Sequence, residues 1–154
     1  MFKILFGLVI ILVVITACYS TKHVKNAIIK QGISGFIYEL KGNQMPMKGE
    51  ELTKPRGIIK EIFVYEATNI TQVNRVGTSP FYNDITTKLV TSVISDSTGK
   101  FSVELPVGNY SLFIKIGNQY FANRFNEKNE INLYAVKEEE ITEATFIINN
   151  TATY

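Results

Sequence analysis

Only one cysteine, Cys18, occurs in the 154 residues, so no intrachain disulfide can form and any fold must be stable through packing alone. A chain of this length can manage that, because it buries roughly two-thirds of the surface that its unfolded form exposes. Histidine is equally scarce. The single His23 lies in a polar stretch where nothing would hold it against a partner, whereas most general bases and zinc sites draw on histidine. The expectation is therefore a protein that is not an enzyme, with no metal and no cofactor. Net charge is also small: +2 overall, and +1 once Lys3 is subtracted with the segment preceding Cys18. Such a charge gives little attraction for phosphate, so nucleic acid is excluded as the expected partner. No uninterrupted apolar run reaches the about 20 residues that a helix needs to span a bilayer. Nor does any segment show a convincing long amphipathic helix.

What the chain does have begins at its first residue. Met1-Phe2-Lys3 makes a short positive start, and Ile4 to Ala17 follows without a charge, which is the layout of an export signal. Its last residues, Ile15-Thr16-Ala17-Cys18, match the bacterial lipobox, with Ile15 and Ala17 as the residues a lipoprotein signal peptidase would recognise. A thiol is the side chain nucleophilic enough to take a diacylglyceryl group as a thioether, and a small residue before it lets the peptidase close around the bond to be cut. The sequence therefore predicts a signal peptide at 1–17 and lipidation at Cys18 by palmitate-class acyl chains. A tether at 18–31 and a folded domain at 32–154 follow. Two or three acyl chains anchor stably, at ~0.8 kcal/mol per buried CH₂. The flank after Cys18 is neutral to basic, which points to the cell envelope, on the outer membrane facing the periplasm.

Beyond the tether the signals are strand signals. The composition is rich in Ile, Val, Thr, Tyr and Phe, which suit a pleated, half-buried surface. Phe101, Val103 and Leu105 alternate with Lys100, Ser102 and Glu104, and Tyr110, Leu112, Ile114 and Ile116 alternate with Ser111, Phe113, Lys115 and Gly117. Between these runs Pro106-Val107-Gly108-Asn109 predicts a tight hairpin with Gly108 at positive φ. Lys88 to Ser95 reads as a further strand, joined to the Phe101 run by Asp96-Ser97-Thr98-Gly99, with Gly99 in the left-handed region. Three consecutive antiparallel strands would result. Glu61 to Ala67 places Ile62 and Val64 on one face and Phe63 and Tyr65 on the other, so it should lie inside a sheet covered on both sides. Ile33 to Leu40, Ile131 to Val136 and Ala144 to Asn149 complete about seven strands. The count predicts an all-β fold, a two-sheet antiparallel sandwich.

The run from Ser95 to Leu112 resembles the carboxypeptidase regulatory-like domains, in which a D-x-x-G-x-F strand leads through L-P-x-G to a Y-x-L strand. Gly32 to Ile37, Met45 to Gly49, and Ile62 to Glu66 are similar to that family's first strand, first loop and second strand. The resemblance covers roughly 32–150 and implies a seven-stranded transthyretin-like (prealbumin-like) sandwich. Two loops, at 42–59 and 68–87, are longer than the family's usual turns. In the peptidases this domain accompanies the catalytic one and holds none of its zinc ligands. The transthyretin-like hydrolases of purine breakdown end in a motif that Asn150 to Tyr154 does not resemble.

The resemblance leaves two functional expectations. In one, the domain is a binding or scaffolding module for an envelope protein or glycan, with Arg75, Phe81, Tyr82 and Asp84 of the second long loop as candidate contacts. The bland alternative is that Phe81 and Tyr82 cap one end of the sandwich. In the other, the protein is structural, hardened by a Lys–Asn isopeptide bond of the kind that some pilin-related prealbumin-like domains form. Lys30 or Lys41 would then join Asn149 or Asn150. Glu50-Glu51 and Glu138-Glu139-Glu140 read as solvated loops rather than as acid–base pairs.

Overall fold

The computed structural model describes residues 29–45 and 54–153. Its strands in chain order are β1 (Gly32–Asn43), β2 (Arg56–Gly57), β3 (Glu61–Glu66), β4 (Val73–Arg75), β5 (Phe81–Ile85) and β6 (Leu89–Ile94). They continue with β7 (Lys100–Glu104), β8 (Gly108–Ile116), β9 (Gln119–Phe121), β10 (Leu133–Val136) and β11 (Ile141–Thr153). A 3-10 turn, Ile70–Gln72, interrupts them, opened by Asn69, whose side chain accepts from the Thr71 amide.

The fold is all-β and built as two sheets. One has four strands, with β1 flanked by β11 on one edge and by β7 and β2 on the other; the second has seven, ordered β4-β5-β9-β8-β3-β6 with β10 also on β8. Each strand with period-2 patterning turns its apolar set inward. Ile33 and Ile37 of β1, Phe101 and Val103 of β7, and Ala144, Phe146 and Ile148 of β11 meet Ile62 and Val64 of β3 and Leu112 and Ile114 of β8 in one buried core. Full burial of each such side chain stabilises the fold by about 1.5–3 kcal/mol.

β3 lies between β6 and β8, and both its faces are covered. Tyr65 and Phe113 project from the far side of the larger sheet into a second cluster with Tyr82, Ile85, Ala122 and Ile131. The rings of Tyr65 and Tyr82 each meet Phe113 edge-on, both with centroids 5.7 Å apart. A middle strand with aromatic residues on its second face therefore acquires a covering layer, here the β4–β5 hairpin and the chain after β9.

Four expectations need correction. The described residues hold eleven strands rather than seven, because β2, β4 and β9 are each too short for a two-residue period to stand out and the five residues of β5 do not alternate. The 68–87 segment is thus not a bare loop. Pairing is not antiparallel throughout, since β1 and β11 run parallel, with Ile33 opposite Thr142 and Ile37 opposite Phe146. No hairpin joins these two strands, so nothing local dictates their sense. Gly35 lets them approach, because a Cβ there would lie 1.7 Å from the Ala144 carbonyl oxygen.

Nor do β6, β7 and β8 pair with one another. β7 pairs with β1 in the smaller sheet, while β6 and β8 both pair with β3 in the larger. The turns between them are corners that carry the chain from sheet to sheet. At the first, Asp96 Oδ1 accepts from the amides of Thr98 and Lys100, and Gly99 takes φ +84° as expected. At the second, Gly108 does not adopt a positive φ; a Cβ there would meet the Tyr110 hydroxyl at 3.1 Å. That hydroxyl donates to the Pro106 carbonyl at 3.1 Å, closing the corner with a side chain in place of a hairpin ladder.

Candidate functional site

Ile15, Ala17 and Cys18 lie outside the described residues, as do Glu50 and Glu51. The four loop candidates fall on the β4–β5 hairpin, where Arg75 pairs with Tyr82 and Asn74 with Asp84. Their side chains diverge. Arg75 donates from Nε to the Ser79 carbonyl at 2.8 Å and from Nη2 to the Thr78 carbonyl at 2.7 Å, and its guanidinium lies 5.3 Å from the Phe125 ring centroid. Phe81 is half-buried and meets the Phe121 ring at 5.5 Å. Tyr82 is 0% exposed, its hydroxyl 3.4 Å from the Ala122 carbonyl. Asp84 is exposed and accepts from the Ile85 amide at 2.9 Å. The hairpin therefore presents Asp84 and the edge of Arg75 to solvent and turns Tyr82 into the second core.

Of the residues of the crosslink alternative, Lys41 stands opposite Thr151 in the β1–β11 pairing, one residue from Asn150. Lys30 and Asn149 are exposed, and the side chain of Asn150 lies outside the described residues. Lys41 Nζ sits 3.0 Å from a carboxylate oxygen of Glu39, on a stretch of β1 where the register with β11 shifts. The acidic run at 138–140 is an exposed turn in which Glu140 pairs with Lys137 at 3.4 Å.

Three tyrosines have their ionisation displaced. Burial pushes the Tyr65 hydroxyl well above the ordinary phenol range, and its hydrogen bond with Tyr120 and the nearby Asp84 charge add to the effect. Tyr82 and Tyr134 are also raised by burial, opposed by the charges of Arg75 and Arg124 respectively. Raised values keep these phenols protonated at neutral pH, the wrong direction for a base or nucleophile. Among the described residues no group of three or more His, Cys, Asp or Glu side chains is placed to hold a metal ion.

A surface that sequence reading missed lies on the outer face of the smaller sheet. With Ile33 and Ile37 turned inward, Phe36, Tyr38 and Leu40 alternate to the opposite side, and Phe36 and Tyr38 stack at 5.8 Å with planes 8° apart. Phe36 stands opposite Thr145 and Lys100, and Tyr38 opposite Ile147, which is 43% exposed. Among the described residues Phe36, Tyr38 and Ile147 join neither buried cluster. The sequence signal was present, since β1, like β3, is apolar on both faces. Nothing local distinguishes this face from one that gains a cover among the described residues.

Two open clefts lie among the described residues. One, of about 480 Å³, lies at the far end of β1 beneath Lys41, Arg56 and Lys60, with Glu39 and Ser97 on its walls. The other, of about 600 Å³, lies beside Asn109 and the 125–130 turn. Neither gathers a buried polar group that would mark a reaction centre. No protein-family model, curated protein or solved structure matches the chain.

Proposed function

We propose that the chain is a lipid-anchored protein of the bacterial cell envelope, acylated at Cys18 after cleavage behind Ala17. Its β-sandwich, of carboxypeptidase regulatory-like, transthyretin-like type, serves as a non-catalytic binding or scaffolding module for an envelope protein or glycan. The observation that carries the binding reading is the contrast between the two outer faces. That of the larger sheet is closed by the β4–β5 hairpin and its aromatic cluster, while that of the smaller presents stacked Phe36 and Tyr38 beside Ile147. Aromatic side chains on a regular sheet are rigid anchors that give contact area at low entropic cost, for proteins and sugar rings alike. The anchoring reading rests on the lipobox alone.

Recovery of partners from envelope extract tests the module. The full chain and a Phe36→Ala/Tyr38→Ala form are compared, together with an Asp84→Ala form for the hairpin rim. Loss of a partner with the first substitution supports the aromatic face, and loss with the second moves the contact to the hairpin. Equal recovery of everything by all three rejects a binding role for both surfaces. For the anchor, Cys18→Ser should abolish both processing and incorporation of labelled palmitate. A Cys18→Ser chain that is still cut and still sediments with membranes rejects lipidation.

A further inference from the structure

Where β1 runs past the core, the link from β2 to β3 crosses between the sheets, and three cations gather around it. Glu39 follows buried Ile37 by two residues and so carries the inward face of β1 to the rim of the sandwich, with Arg56 of β2 paired opposite it. Lys41 and Lys60 complete the charged lining of a cleft of about 480 Å³. Its walls are fixed by buried contacts. Ser95, 2% exposed, accepts from the Lys60 amide and donates to the Ile58 carbonyl, both at 2.8 Å, and the Ile58 amide donates to the Ile37 carbonyl at 3.2 Å. Gly57 leaves no room for a Cβ beside the Thr98 carbonyl, a close approach that sets Ser97 on the cleft wall.

Charge in this cleft is unbalanced. The one carboxylate among its lining residues, Glu39, is engaged by Lys41 at 3.0 Å, and Asp96 of the neighbouring turn accepts from the Thr98 and Lys100 amides. Arg56 and Lys60 form no ion pair among the described residues. Two like charges held on one concave surface repel, and an anion between them removes that cost. We infer that the cleft binds a phosphate ester, held by Arg56 and Lys60. The planar guanidinium fork suits two oxygens of one phosphate, and the ammonium suits a third. Ile58 and Ile59, the latter 61% exposed, offer apolar contact to the organic part of the ester. The small net charge of the whole chain does not oppose this, because the field within a cleft is set by the charges that line it. These side chains lie at the inner rim of the sandwich, whereas Phe36 and Tyr38 lie on its outer face, so the site is independent of the binding face proposed above. A soluble ester and a phospholipid headgroup present the same chemistry.

Lysine acetylation of the full chain, with the rate at each lysine read by mass spectrometry, tests the site. One arm adds glycerol 3-phosphate to the chain in nonionic detergent, and the other compares phosphatidylcholine vesicles with and without phosphatidylglycerol. Phosphate should slow acetylation of Lys60 saturably and leave Lys128 unaffected, since Lys128 lies on the other cleft with Glu127 and Glu130. Arg56→Gln should raise the half-saturating concentration about tenfold, through loss of one charge-assisted contact. Arg56→Lys should raise it less, because the charge remains without the fork. The Arg56 residue is exposed, so circular dichroism should stay unchanged in both. Protection by glycerol 3-phosphate supports the site as one for soluble esters, and protection by phosphatidylglycerol alone supports it as one for a headgroup. The proposal is overturned if neither protects Lys60, if potassium chloride of equal ionic strength protects it as well, or if Arg56→Gln leaves half-saturation unchanged in a folded protein.

Discussion

The Ile37 amide donates to the Gly99 carbonyl at 2.8 Å, and a Cβ on Gly99 would lie 2.2 Å from the Ile37 carbonyl oxygen. One glycine thus fixes how closely the corner between the sheets can approach the middle of β1. Gly99 also holds φ +84°, so Gly99→Ala adds backbone strain to a backbone clash. The expected loss is about 2–4 kcal/mol in urea unfolding, with the midpoint falling and the slope unchanged. Gly77 has φ +56° but nothing within 4 Å of a Cβ, so Gly77→Ala should cost only the conformational part, about 1–2 kcal/mol.

The buried Thr68 amide donates to Ser111 Oγ at 2.9 Å, joining the end of β3 to the middle of β8. Ser111→Ala leaves that donor without its partner at a site with 0% exposure on both residues. A loss of about 1–3 kcal/mol is expected by denaturant unfolding, since an unsatisfied buried amide costs its full desolvation. Thr71→Ala removes only an exposed contact and should change stability by under about 0.5 kcal/mol.

Tyr110→Phe removes the hydroxyl that closes the β7–β8 corner on Pro106 while keeping the ring in the core. About 1 kcal/mol should be lost. Amide exchange should speed up locally near Val107 and Gly108 before the rest of the sheet opens, because the corner has no hairpin ladder to hold it.

Tyrosine ionisation gives a pH test with a definite sign. Tyr65, Tyr82 and Tyr134 are all raised above the ordinary value of 10.0 in the folded state, first by burial. The unfolded chain releases these protons near pH 10 while the folded one retains them, so unfolding is favoured increasingly as pH rises beyond that point. Stability from this source is fully present below pH 10 and is lost progressively above it. Tyrosinate absorbance should accordingly rise in two phases, the second coinciding with loss of the β-sheet circular dichroism signal. A single phase at the ordinary phenol pH in a folded protein would contradict the burial of these rings.

Several parts of the fold were legible because their causes are local. Ile62/Phe63/Val64/Tyr65 announced a strand covered on both faces, and the structure places its two pairs in two separate clusters. Gly99 announced a left-handed turn residue, which it is. The same local logic failed at Gly108, where sequence suggested a backbone angle and the structure shows a need for space beside the Tyr110 hydroxyl. For the aromatics of β5 it left both readings open, contact with a partner or a cap on the sandwich. Two adjacent aromatics in a loop look alike whether they face solvent or core, and only the position of Phe113 beneath the hairpin makes Tyr82 a buried residue.

The amino-acid order alone determined that the domain is made of strands and where its sharpest turn falls, because side-chain alternation and the glycine Ramachandran preference act within a few residues. Tertiary structure decided which strands are partners: β1 beside β11 in parallel, and β7 in a different sheet from β6 and β8. It also decided which apolar faces gain a cover. Hydrogen-bond partners and covering layers come from distant segments, and a strand apolar on both sides carries the same local pattern in either case.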